Sequence, residues 1–226
     1  MKLRMSETTK DRLGMGTNGK PRFGDREIPS IGTTSSLPGA GYGTSFVCLS
    51  QGERDFALIL MYDDNVARIE TQVLLNKEDT DELAKMLGYR RFNNGRSAMT
   101  TDFLVTMKDK SLIAYSVKAS RKDREDKRTQ EKLEMERRYW QARGIECRMV
   151  YKEDLDPVLC SNLADVFSAY DPRFLCDENG WLRHMIARKI IKTDMTRPLD
   201  YEAILKEEKE NGNWEKALKS ARTSWV

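Results

Sequence analysis

The sequence predicts an α/β fold, a mixed sheet flanked by helices, with an extended arm before it and a small helical region after it. Three observations predict it. Four runs of strand length and apolar character, Val66 to Leu75, Met99 to Met107, Leu112 to Lys118 and Ile145 to Tyr151, fill the middle of the chain. A long charged helical stretch, Arg124 to Arg143, separates the third run from the fourth and ends at Gly144. After Asp156-Pro157 only short helical patterns follow.

Residues 1 to about 45 form the arm. Glycines from Gly14 to Gly43, with Pro21, Pro29 and Pro38, punctuate any helix or strand. Gly39-Ala40-Gly41-Tyr42-Gly43 lacks the preceding strand, the Lys-Ser/Thr pair and the following helix of a phosphate loop. Lys10, Arg12, Lys20, Arg22 and Arg26 would let the arm touch phosphates. Ser50 to about Tyr62 reads as a helix, with Ser50-Gln51-Gly52-Glu53 as its capping box and Phe56, Leu58, Ile59 and Leu60 as its apolar body. Residues 76 to 98 are polar and contain the turn signal Asn93-Asn94-Gly95. Lys108-Asp109-Lys110 joins the second and third strands. The last part reads as helices over Pro157 to Ala169, Trp181 to Lys192, Leu199 to Glu210 and Glu215 to Arg222. The boundaries expected are 1–45 for the arm, 46–156 for the sheet domain and 157–226 for the helical region.

Composition narrows the chemistry. The 226 residues are 39% hydrophobic and 33% charged, enough for a core without staples. No run approaches ~18 apolar residues, and the N-terminus lacks a secretory stretch, so a cytoplasmic protein without a membrane span is expected. Cys48, Cys147, Cys160 and Cys176 form no CxxC knuckle and read as small buried hydrophobes. The single histidine, His184, excludes His-x-x-x-His zinc enzymes and two-histidine phosphoesterases, and reads as a surface or capping residue. The net charge of +3 leaves nucleic-acid binding to local charge distribution.

Carboxylate and lysine chemistry remains, and Glu53, Asp102 and Lys118 are the constellation that fits it. Asp102 lies among apolar and β-branched residues, where a carboxylate is costly unless paired or metal-bound. Lys118 closes the adjoining strand, so both can reach one end of a sheet. Two hard-oxygen carboxylates suit Mg²⁺. Each residue has a plainer alternative: Glu53 as the last residue of a capping box, Asp102 as an arginine's partner, Lys118 as a solvated strand end.

Met99-Thr100-Thr101-Asp102-Phe103-Leu104-Val105, Tyr115-Ser116-Val117-Lys118 and the stretch Arg128 to Gln141 ending in Glu136-Arg137-Arg138-Tyr139-Trp140 together resemble the TnsA family. Leu49-Ser50-Gln51-Gly52-Glu53 and Ile69-Glu70-Thr71-Gln72 fall where that family places its catalytic glutamate and a following strand. The resemblance covers roughly residues 45 to 155. It implies a restriction-endonuclease-like fold and the endonuclease subunit of a heteromeric transposase. Such a subunit cuts the 5′ ends of a mobile element in double-stranded DNA, while a TnsB-like integrase-type transposase cuts and joins the 3′ ends. It implies Glu53 and Asp102 as metal-binding carboxylates, Lys118 as the catalytic lysine, and Mg²⁺ as cofactor, with Mn²⁺ expected to substitute. Ser116 stands where the fold usually carries Asp or Glu; it is a candidate catalytic residue whose hydroxyl can hold a water or a metal-bound water without bringing charge, and the Val117 carbonyl becomes a candidate ligand. A TnsC-like ATPase regulator is the further partner implied, bound through the C-terminal region.

Arg121 and Lys122 follow closely on Lys118 and are candidate phosphate contacts. Arg183 and Arg188, with Lys189 and Lys192 on one expected helix beside Trp181, are candidates for DNA or protein contact. Neutralising about five phosphates would give a log–log salt slope near about −4.5. Two rival functions are a catalytically degenerate architectural subunit, which Ser116 favours, and a stand-alone restriction-type nuclease.

Overall fold

A computed structural model of the chain describes residues 35–37 and 46–223. The arm's cations and the Gly39–Gly43 run lie outside the described residues. The chain divides into two compact units, one up to Asp154 and one from Leu155.

In the first unit, β1 (Ser35–Leu37) pairs antiparallel with β2 (Phe46–Cys48). Helix α1 (Gln51–Tyr62) follows, then β3 (Val66–Leu74), α2 (Lys77–Leu87), β4 (Thr100–Met107), β5 (Leu112–Lys118), α3 (Lys127–Gln141) and β6 (Glu146–Tyr151). The four long strands form one sheet in the order β3-β4-β5-β6. Neighbours among the first three pair antiparallel, and β6 joins β5 in parallel, so the sheet is mixed as expected. Joining parallel strands requires a crossover, and α3 supplies it.

Two departures from the sequence-based expectation in this unit concern helices. The polar segment after β3 contains α2. Its Asn76 cap accepts a hydrogen bond from the Asp79 N–H at 3.0 Å, and Gly88 ends it with φ +66°. Leu83 and Ala84 then pack with Val73, Leu75, Met135, Tyr139 and Trp140. The long charged helix is shorter than Arg124 to Arg143. A 3₁₀ turn covers Arg121–Arg124, Asp126 caps α3, and Gly144 has φ +71° just past its end.

Side chains divide between the sheet faces. Phe103 and Tyr115 meet Phe56 of α1, with ring centroids 5.6 and 5.0 Å apart. Leu104 and Ala114 lie on the other face, clustered with Met135, Tyr139 and Trp140 of α3. Strict alternation would put Thr101 on the α1 face with Phe103. Instead Thr101 bonds to Glu136 and Trp140 of α3, and its strand partner Val73 belongs to the α3-side cluster. The alternation therefore breaks at Asp102, and at Gln72 across from it, whose φ is +51°.

The second unit is helical: α4 (Pro157–Ser168), α5 (Glu178–Ala187), α6 (Tyr201–Glu210) and α7 (Trp214–Thr223). Asp156, Asp177 and Asp200 cap the first three. Helix α5 starts before Trp181 and ends at Ala187, because the chain turns at Lys189 with φ +55°. Lys189 and Lys192 are therefore off the helix that Arg183 occupies. His184 is not on the surface. It is fully buried, with Nδ1 3.2 Å from the Ala169 carbonyl and Tyr170 and Trp181 rings beside it. It falls on the inner stripe of α5 with Leu182, Met185 and Ile186, also buried. Among the cysteines Cys176 is exposed, contrary to expectation, while Cys48 and Cys160 are buried and Cys147 partly so. No helix among the described residues is long and apolar enough to cross a membrane.

Candidate active site

One end of the four-stranded sheet gathers the acids. Antiparallel pairing brings the start of β4 beside the end of β5. Their backbone ladder stops at Phe103 and Tyr115. Beyond it the Asp102 carboxylate takes the next donor, accepting the Val117 N–H at 2.7 Å. Lys118 Nζ lies 3.8 Å from Asp102 Oδ2 and donates to the Val117 carbonyl at 2.9 Å. The partners of Asp102 are therefore a lysine and a backbone amide, not an arginine, and Lys118 is engaged rather than simply solvated.

Glu53 enters from α1. Ser50 Oγ accepts the Glu53 N–H at 3.2 Å, which fixes the helix start. The carboxylate then does three things: Oε1 accepts Ser50 Oγ at 3.0 Å, and Oε2 accepts the Leu49 N–H at 2.8 Å and Gln72 Nε2 at 3.0 Å. Glu53 is thus both part of the helix cap and a buried acid facing β3, at 6% exposure.

Burial, and then the nearby charge of Asp102, push the Glu53 carboxyl up to about 7. Burial raises Asp102 as well, against the opposing pull of Lys118 and the Val117 N–H. Asp102 thus raises Glu53, while the charge of Lys118 lowers both. Their charged forms are costly there until a cation offsets them.

Ser116 opens onto a third acid. Its buried Oγ donates to Glu136 Oε2 at 2.6 Å. Glu136 Oε1 accepts Thr101 Oγ1 at 2.7 Å, and Thr101 in turn accepts Trp140 Nε1 at 2.7 Å. Burial, then the charge of Asp102, lift Glu136 to about 7 as well. A buried carboxyl group therefore stands hydrogen-bonded to the position where Ser116 itself carries none. Sequence reasoning passed over Glu136 as one more member of a charged helix. The signal was its spacing: with Met135, Tyr139 and Trp140 it occupies the apolar stripe of α3, the face a carboxylate avoids. Ser116 and Glu136 line a cleft of about 500 Å³ together with Tyr89, Lys127, Gln130 and Met149.

The donor set fits a hard divalent cation. Glu53 and Asp102 offer carboxylate oxygens, and the Val117 carbonyl lies at the same strand end. Among the described residues no group of three or more His, Cys, Asp or Glu forms a ready-made metal cage. The pair resembles sites completed by water and substrate phosphate.

The candidate DNA contacts are dispersed. Arg121 forks onto Asp154 at 2.6 and 2.7 Å, takes Glu153 at 3.2 Å, and covers the Tyr151 ring. Lys122 is exposed. Arg183 pairs with Asp165 at 3.0 Å, and Arg188 covers Tyr170, both within the second unit.

Residues 63–152 match the family model described as the TnsA-like endonuclease N-terminal domain, a span that holds Asp102, Ser116, Lys118 and Glu136 and begins after Glu53. The transposition protein TnsA of transposon Tn7, from Escherichia coli, is 30% identical over 158 residues. That stretch is 69% of this chain and 58% of the relative, so the chain spans less than two thirds of that protein. With an α/β mixed sheet under the matched span, the two matches support assignment of the chain to the TnsA family.

Proposed function

We propose that this chain is the Mg²⁺-dependent DNA endonuclease subunit of a transposase, cutting the 5′ ends of a mobile element while a TnsB-like partner cuts and joins the 3′ ends. The observation that carries it is the Asp102 carboxylate, held between the Val117 N–H and Lys118 beside the buried acid Glu53. In this reading Glu53, Asp102 and the Val117 carbonyl hold Mg²⁺, for which Mn²⁺ substitutes. The ion supplies polarisation of a phosphoryl oxygen and a lowered pKa for a bound water.

The chain's own groups do the rest. The Val117 N–H fixes one Asp102 oxygen, Oδ2, which Lys118 also approaches. Lys118, tethered to the Val117 carbonyl, brings a positive charge to the phosphate on which negative charge develops. Glu136 accepts the Ser116 hydroxyl and so holds Oγ in one orientation. Residues 46–156 form the nuclease domain, and 157–226 serve DNA, a TnsC-like ATPase or both. Arg121, Lys122, Arg183 and Arg188 are the proposed phosphate contacts.

The rival architectural subunit drew its support from Ser116. The Ser116–Glu136 bond bears on that support, because it sets a carboxyl group against the serine. Asp102→Ala in an assembled end-cleavage assay separates the two. The nuclease reading expects 5′ cleavage to fall by at least two orders of magnitude. Unchanged cleavage would make this chain a scaffold.

A further inference from the structure

Gln72 lies inside β3 with φ +51°, a left-handed conformation that costs a residue with a Cβ roughly 1–2 kcal/mol. Glycine would make the same turn at less cost, so the turn alone does not explain a glutamine. Its side chain is spent inside the protein. Gln72 is 5% exposed, and its Nε2 donates to Glu53 Oε2 at 3.0 Å.

The backbone and the side chain belong to one device. Thr71 faces Phe103 and Val73 faces Thr101, which leaves Gln72 opposite Asp102. With Phe103 on the α1 face, a regular strand would aim Gln72 at α3. The left-handed turn sends it to the α1 face instead, onto Glu53, and sends Val73 to the α3 side. Oε2 is then filled by the Leu49 N–H and Gln72, while Oε1 holds Ser50 Oγ and keeps capacity for another partner. A carboxamide fixes the carboxylate's orientation without cancelling its charge, as an arginine or lysine would.

We infer that Gln72 is the positioning residue of this site: its amide, delivered by the left-handed turn opposite Asp102, holds Glu53 Oε2 so that Oε1 meets the divalent cation. The inference rests on the proposed role of Glu53 as a metal-holding carboxylate. Groups that orient ligands in this way change metal affinity by roughly 10–100-fold when removed.

The test is a calorimetric Mn²⁺ titration of the full chain, with thermal melting of each variant. Gln72→Gly keeps the left-handed turn and removes the amide. Gln72→Asn tolerates the turn, but its amide is one methylene too short for Glu53. Both are expected to melt cooperatively near the parent and to bind Mn²⁺ at least tenfold more weakly. Parent-like affinity in a folded Gln72→Gly overturns the inference, and so does failure of both variants to fold, which would make Gln72 a folding determinant. Undiminished binding in Glu53→Ala overturns the role of Glu53 itself, a separate failure. A parent chain that binds no Mn²⁺ overturns both.

Discussion

In the helical unit Asn162 and His184 are buried and end on backbone carbonyls: Asn162 Nδ2 on Met195 and Arg197 at 2.9 and 2.7 Å, His184 Nδ1 on Ala169. In the sheet unit Glu53 and Glu136 are buried, Asp102 is half-buried, and both glutamates feel the charge of Asp102. The first arrangement closes hydrogen bonds between groups that carry little net charge, and it stabilises. The second accumulates like charge in a poor solvent for it, which costs stability and is the usual mark of a working site. The contrast also appears within α3. Glu134, bonded to Arg137 and Arg138 on the outer face, is pulled down to about 2, while Glu136, two residues on and turned inward, is pushed up to about 7.

The sharpest way to break this comparison is Asp102→Asn, which keeps shape and removes charge. Cleavage should drop at least 100-fold, about 3 kcal/mol of transition-state stabilisation, while Tm stays level or rises by a few degrees. A large fall in Tm would mean that the acids hold the fold together after all. Asn162→Leu is the converse. It strands two carbonyls, should cost roughly 1–3 kcal/mol in denaturant unfolding, and should leave Mn²⁺ binding by the other unit unchanged.

The pH dependence of stability sharpens the same point. Between the ordinary carboxylate value of 4.5 and about 7, Glu136 holds its proton in the folded chain and loses it in the unfolded one. Stability is therefore fully present below that window and is lost as pH rises through it. Metal-free melting should show this decline, and Glu136→Gln should flatten it by an amount on the order of 2 kcal/mol. The smallest effect belongs to Glu134→Ala. Breaking two exposed pairs should change stability by less than about 1 kcal/mol at any pH from 5 to 8.

Parts of the site were legible and parts were not, for a physical reason visible in each residue. Asp102 and Lys118 stood out because a charge at the end of an apolar run is unusual on local grounds. Helix α2 carried its own signals, the Asn76 cap and the Gly88 stop, and was hidden only by the polarity between them. Glu136 was hidden by its neighbours, since a charged helix offers many carboxylates and only one turns inward. His184 was misread the same way, its flanking Arg183 and Arg188 masking an inner stripe.

By itself the sequence determined what depends on near neighbours: four strands by their apolar runs, the Ser50 cap, the turn at Asn93-Asn94-Gly95, the stop at Gly144, and the exclusion of histidine-based chemistry. Only the tertiary structure decided which acids meet. The bond from Gln72 to Glu53 spans 19 residues, Ser116 to Glu136 spans 20, and Thr101 to Glu136 spans 35. Periodicity says which face a side chain takes, not what waits there, and at Gln72 the backbone turns left-handed and breaks the periodicity itself.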